Sequence, residues 1–300
     1  MSITKGRTGS ALAALAGAAL LVPAATAWAA VDLGGYYQPV MHEDASERGQ
    51  GPDAGEYMGL PINDALRSRG ETWNGSLLTI PERQCVPHPS TYGMRGVGNV
   101  HIWEVRDPGT QELVKIEQLI VWEAQHREIW MDGRPAPPDW ALHTWQGFSR
   151  GHWEGDTLVV VTTNLKPGWI RRNGLALSDK AKMTERYIRH GDILHHTMFI
   201  EDPVYLTEPM IKTNVLRIMA QPNMGAYPCR PAVEVPRPKG AVPHQPFRDK
   251  SAEDEFAHRY DIPVEAAAGG INTAMPEYMD VIAAYRASEP PKPAANTTKK

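Results

Sequence analysis

Two alternating runs, Met183–His190 and Ile193–Glu201, flank the dipeptide Gly191-Asp192. A glycine beside an aspartate supplies the positive φ of a tight turn, and period-two runs on either side make this a β-hairpin. The same pattern of short runs recurs from Ser76 to Met219. Candidate strands are Ser76–Ile80, Val100–Val105, Val114–Glu123, His126–Met131, Phe148–Glu154, Thr157–Thr163 and Ile211–Met219, with the two named above. Asp107-Pro108-Gly109, Gly155-Asp156 and Asp202-Pro203 mark further turns. Eight or nine strands joined mostly by short turns form an antiparallel meander. Closing that meander into a barrel removes its exposed edges, and a β-sandwich is the alternative.

The flanks read differently. Lys5 and Arg7, the apolar run Ala11–Val22 and the small residues around Trp28 form a secretory signal over residues 1–29, too short for a membrane span. Residues 30–75 read as an N-terminal wrap with one short helix from Pro61 to Arg69, ended by Gly70. The barrel occupies 76–220. Residues 221–287 form an extended wrap, whose stretch Pro222–Phe247 holds seven prolines, followed by helices at Ala252–Tyr260, Pro263–Ala268 and Met275–Ala287. Residues 288–300 read as a disordered tail. The expected location is therefore periplasmic or secreted, with no membrane span in the mature protein.

Loss of Lys5 and Arg7 with the signal takes the formal charge from −4 to about −6. A mildly acidic chain disfavours nucleic acid as a partner. Cys85 and Cys229 are the only cysteines. In an oxidising compartment they can pair, and two buried thiols are the alternative. Nothing resembles a CxxC site.

Several motifs resemble a group of secreted bacterial proteins to which no reaction is assigned. They are Ile129-Trp130-Met131-Asp132-Gly133-Arg134-Pro135, Trp145-Gln146-Gly147-Phe148-Ser149, Trp153-Glu154-Gly155-Asp156-Thr157-Leu158-Val159-Val160, Ser178-Asp179, Glu185-Arg186 and Asp202-Pro203-Val204-Tyr205-Leu206-Thr207. They cover roughly residues 80–215. The Trp-Glu-Gly-Asp-Thr-Leu hairpin is also similar to a turn of lipocalin-like barrels, which implies a lipocalin-like form and no particular activity. Phe148 stands where many members of the group carry a histidine.

Five of the nine tryptophans fall between Val121 and Leu165. Aromatic density of this kind walls either a core or a ligand cavity. The ligand contacts expected from the pattern are Trp122, Arg127, Trp145, Ser149, Trp153, Arg171 and Tyr205. The basic run Arg171-Arg172-Asn173-Gly174 suits an anionic ligand at a barrel mouth, and a solvated loop explains it equally well. For acid–base chemistry the candidates are His126, Glu185 and His195, with His196 sharing the last position because adjacent strand residues point to opposite faces. A cross-strand surface ion pair between Glu185 and either histidine is the plainer alternative.

Eleven histidines show no helical metal-ligand spacing, so no metal is assigned. Gly147-Phe148-Ser149-Arg150-Gly151 matches G-x-S-x-G by letter, but that motif needs a strand-to-helix turn in an α/β sheet. No phosphate loop or dinucleotide fingerprint is present, and no cofactor is expected. Three functions remain: a cofactor-independent lyase, isomerase or hydrolase acting on a small aromatic or hydrophobic molecule, a non-catalytic carrier of such a molecule, and an envelope interaction protein.

Overall fold

A computed structural model describes residues 31–40, 51–73, 84–95, 98–225, 229–231, 238–240 and 255–288. The expected signal peptide, the strand at Ser76–Ile80, most of the Pro-rich stretch and all but the first residue of the expected tail lie outside them. The chain is mainly β, and its centre is a closed barrel. Its strands are β1 (Gly35–Pro39), β2 (Val100–Arg106), β3 (Leu113–Ile120), β4 (Gln125–Trp130), β5 (Phe148–Glu154), β6 (Thr157–Thr163), β9 (Lys182–His190), β10 (Ile193–Glu201) and β11 (Met210–Ile218). Around the barrel they run β1-β11-β10-β9-β6-β5-β4-β3-β2. A separate two-stranded ribbon pairs β7 (Gly168–Trp169) with β8 (Ala176–Leu177).

The hairpin at Gly191-Asp192 forms with Ile193 opposite His190, and Gly191 takes the left-handed φ of +59° that the turn requires. Two elements depart from the sequence reading. The strand expected to reach Glu123 stops at Ile120, because Glu123 and Ala124 adopt left-handed φ of 60° and 48° in a tight turn at Trp122–Ala124. The stretch read as an N-terminal wrap contributes β1, which pairs with both β2 and β11 and so closes the barrel. Its five residues bury Tyr37 and turn Gln38 outward, a half-buried alternation that adjacent glycines hide.

Inward-facing Ile102, Ile116, Ile129, Leu158, Val160, Met183, Leu194, Met198 and Leu216 fill the barrel, each 2% exposed or less. At ~25 cal/mol per Å² of apolar surface removed from water, this packing is the main stabilising term. A helix from Asp64 to Glu71 is capped by Asn63, whose side chain accepts from Leu66 N–H at 3.0 Å. It runs through Gly70 rather than stopping there: a Cβ at Gly70 would meet the Tyr57 hydroxyl at 2.6 Å. The later helices span Glu255–Tyr260, Val264–Ala267 and Tyr278–Ser288. They fasten to the N-terminal segment through Arg259–Asp53 at 2.6 Å and Gly59 N–H to Gly270 O at 2.9 Å. Cys85 and Cys229 form a disulfide that closes a separation of 144 residues.

The meander has one interruption. β4 and β5 are parallel and pair only at Ile129↔Ser149 and Trp130↔Arg150. Parallel neighbours need a long crossover, and here Pro135, Pro137 and Pro138 keep it from adding a strand of its own. The crossover ends against β6 instead of β4. Thr144 bridges to Leu165, with Thr144 N–H to Asn164 O at 3.0 Å and Lys166 N–H to Thr144 O at 2.9 Å. Thr144–Gly147 is therefore drawn away from the first half of β4.

Candidate functional site

Seven strands send polar side chains into the barrel, and register brings them together. Asn214 lies opposite His196, His196 opposite Tyr187, Thr162 opposite Ser149, and Arg127 opposite Gln118. Arg127 Nη1 and Nη2 donate to Glu185 Oε1 and Oε2 at 3.0 and 2.5 Å. Nη2 also donates to Thr162 Oγ1 at 2.7 Å, and Nε to Ser149 Oγ at 3.1 Å. Glu185 Oε1 accepts further from Tyr187 OH at 2.9 Å and from His196 Nε2 at 3.0 Å. Asn214 Nδ2, which can only donate, reaches His196 Nδ1 at 2.8 Å. His196 Nδ1 is therefore the acceptor and Nε2 carries the proton.

Every member of this layer is buried. Burial pushes the Glu185 carboxyl up, but the Arg127 charge and the bonds from His196 and Arg127 prevail and bring it down to about 2. Burial and the Glu185 charge push the Tyr187 phenol well above its ordinary value. Glu185 is thus an anion with four donors on it, Tyr187 a neutral phenol, and His196 a ring engaged at both nitrogens. The Tyr187 and His196 protons are both committed to Glu185, so neither has a proton to spare for a substrate. The layer balances one buried cation with one buried anion, and both are well bonded.

The layer reaches an opening where β4 and β5 part. A cleft of about 480 Å³ lies there, with Gln125, Arg127 and Ser149 at its base and Trp145, Gln146 and Phe148 along the β5 side. Gln125–Glu128 have β3 on one edge and no β5 residue opposite them on the other. Gln146 donates to His88 O at 2.8 Å, while its Oε1 is buried without a hydrogen-bond partner among the described residues. Gly147 enters β5 at φ +67°, and a Cβ there would lie 2.6 Å from Thr162 Cγ2 and Thr163 O. That glycine fixes the wall.

The expected acid–base group does not assemble. His195 is exposed on the outer wall, with its ring 5.9 Å from His190. His196 is the inward residue, as its neighbours Leu194 and Met198 require. His126 also faces outward, at the cleft rim, and pairs with Glu117 Oε2 at 2.8 Å rather than with Glu185. On the outer face the rings of Tyr36, His101, Trp103 and His126 stack in sequence at 3.9, 4.5 and 5.8 Å.

The expected ligand contacts separate as well. Arg127, Ser149 and Trp145 meet at the cleft. Trp122 sits in the turn after β3, edge-on to His88 at 5.2 Å. Burial first, then Arg172, holds the His88 imidazole down to about 3. Trp153 packs against the apolar core. Arg171 pairs with Glu56 at 2.7 Å and lines a different pocket. Tyr205 OH accepts from Arg69 at 3.0 Å in the Asp202 turn. There Asp202 binds Ser178 N–H and Oγ at 2.7 Å each, so two of the sequence motifs brace one another.

Sequence reasoning overlooked Thr162, Tyr187 and Asn214, as well as Gln125 and Gln146. Thr162 interrupts the apolar inward row of Leu158 and Val160, a signal that alternation could have exposed. Among the described residues no cluster of three or more metal-ligating side chains occurs. No helix of the described chain is long and apolar enough to cross a membrane. No family model, curated protein or solved structure matches this chain.

Proposed function

We propose that the protein is a secreted small-molecule-binding β-barrel. Its ligand is a small aromatic or otherwise hydrophobic compound carrying a hydrogen-bond donor, and the β4–β5 cleft is where it sits. The observation that carries this reading is the short parallel pairing, which leaves a volume of about 480 Å³ between aromatic walls. Small-molecule sites range over roughly 300–1,000 Å³ and combine apolar walls with a few placed polar groups. Trp145 and Phe148 would hold the apolar body, and the unpaired β4 edge at Gln125–Glu128 would accept from the donor. Secretion rests on the signal-like residues 1–29 and on the resemblance to secreted bacterial proteins. The test is tryptophan fluorescence of the mature protein titrated with small aromatic and lipid-like compounds. Saturable quenching is expected from one class, with binding about tenfold weaker in Phe148→Ala. A flat response, or undiminished affinity in that variant, would count against the cleft.

One observation favours a second reading, acid–base turnover in the same cleft. His126 stands on its rim with Glu117 on Nε2, the arrangement of a histidine base held by a carboxylate. In that case His126→Gln would abolish turnover of the bound compound while leaving its titration curve unchanged. Turnover that survives the substitution would leave binding alone.

A further inference from the structure

We infer that the tip of the crossover between β4 and β5 docks on the surface of a lipid bilayer, with Trp140 and Leu142 entering its interfacial layer. Trp140 is 87% exposed and Leu142 83%, the highest values for large apolar side chains among the described residues. Single apolar side chains scattered over a surface are ordinary, but two of this size beside one another mark a contact. Their exposure is also built in. Ala141 N–H to Pro138 O at 2.9 Å closes the turn that carries them. Asn164, buried just past β6, donates through Nδ2 to the same carbonyl at 3.0 Å. His143 spans from Asp139 O at 2.9 Å to Leu165 O at 2.8 Å, and Pro137 and Pro138 fix the φ of the approach. Without these ties the loop could fold both side chains back on the barrel. Pinned on either side of Trp140, it holds them in water.

The surroundings of the tip suit a bilayer better than a protein. A tryptophan and a leucine together offer at most about half of the ~800 Å² per partner that a stable protein interface takes. A bilayer needs no matching footprint. An indole, with an apolar body and one N–H, belongs in the layer between headgroups and acyl chains. Charge at the base of the tip agrees. A pocket of about 190 Å³ there gathers Asp139, His143, Asp179, Lys180 and Lys182. Asp179 and Lys180 stand 3.9 Å apart and each is about half exposed, so both charges stay open to solvent. Ammonium and carboxylate side by side match the phosphate and the amine of a zwitterionic headgroup. The crossover then continues into Trp145–Gly147, which walls the cleft, so docking at Trp140 brings that opening close to the lipid. Docking does not require that the cleft bind anything.

The test is sedimentation of the mature protein with vesicles of phosphatidylethanolamine and phosphatidylcholine, and with matched vesicles whose acyl chains are brominated. The protein is expected to sediment with both and to lose part of its tryptophan emission on the brominated ones. Trp140→Ala combined with Leu142→Ala should weaken partitioning at least about tenfold and remove most of that quenching. Both side chains lie in water, so the urea midpoint of this double variant should match the wild type. Lys180→Gln combined with Lys182→Gln should weaken binding to a lesser degree, as should added salt. Protein that stays in solution with every vesicle would overturn the docking, and so would a Trp140, Leu142 double variant that sediments and is quenched like the wild type. A dimer that depends on Trp140, with no vesicle binding, would assign the tip to protein contact and overturn it equally. The same double variant should titrate like the wild type with the ligand of the cleft, so either site can fail while the other stands.

Discussion

The polar layer around Glu185 and the cleft beside it share residues, for Arg127 and Ser149 belong to both. Their states are nevertheless opposite. In the layer, Glu185 accepts four hydrogen bonds and the strands on either side are paired along their length. In the cleft, Gln146 Oε1 has no partner among the described residues and one strand edge lies open. Polar chemistry inside a barrel is therefore no guide to function by itself. Satisfied donors and acceptors hold a core together, and a strand edge left unpaired beside a volume leaves room for a ligand.

The sharpest way to test the contrast is to break the layer on one side only. Arg127→Met leaves Glu185 buried and uncompensated, and should cost about 3–5 kcal/mol. Adding Glu185→Leu removes the orphaned charge and should recover much of that loss. Urea midpoints for the two single variants and the double variant give the coupling. A single-variant loss below about 1 kcal/mol would mean that the pair is not load-sharing in the way the hydrogen bonds imply.

The same pair sets a pH dependence of somewhat smaller size. The folded Glu185 carboxyl lies near 2, below its ordinary 4.5. A depressed carboxyl contributes stability that is complete above about pH 4.5 and is lost as pH falls through the folded value. Acid should thus remove on the order of a few kcal/mol between about pH 4.5 and 2. Glu185→Gln should flatten that portion of the stability curve. An unchanged slope in the variant would assign the acid sensitivity to other carboxylates.

What the sequence disclosed divides along the same line. Hairpin alternation set β5, β6 and β10 at their observed bounds, because period-two burial and turn glycines are local signals. Glu185, Arg127 and Ser149 were identifiable as polar residues on strands, although their union depends on pairings over as many as 58 positions. The cleft was hidden for a different reason. It arises from the missing contacts between β4 and β5, and an absence of pairing leaves no periodic mark. β1 was lost because the Gly34-Gly35 entry masks a single buried Tyr37.

Gly147→Ala acts where the cleft wall meets the polar layer, at Thr162, and should have a moderate effect. A left-handed φ costs a non-glycine residue about 1–3 kcal/mol, and the added Cβ presses on Thr162 and Thr163. Relief of that pressure moves Trp145 and Phe148, so ligand quenching should weaken more than the urea midpoint falls. A variant that loses stability yet binds normally would separate the turn from the site.

The smallest effect concerns the far end of the crossover. His143 Nδ1 meets Leu165 O at 2.8 Å and Nε2 meets Asp139 O at 2.9 Å. Carbonyls only accept, so both ring nitrogens carry protons and the imidazolium is the form that fits. The bonds to Asp139 and then Leu165 raise its pKa above the ordinary 6.5, with Asp179 adding to the shift while burial and Lys180 oppose it. A raised histidine contributes stability that is complete below about pH 6.5 and is lost as pH climbs through the folded value. Deprotonation forfeits one of the two bonds. The loop keeps Asn164 Nδ2 on Pro138 O at 3.0 Å and the Thr144 bridge, so the urea midpoint should barely move. Amide exchange at Ala141 and Thr144 should nevertheless accelerate above that pH, beyond the intrinsic rise with hydroxide. His143→Gln should show the faster exchange already at pH 6, and exchange identical in both proteins would leave the loop fixed by its backbone bonds alone.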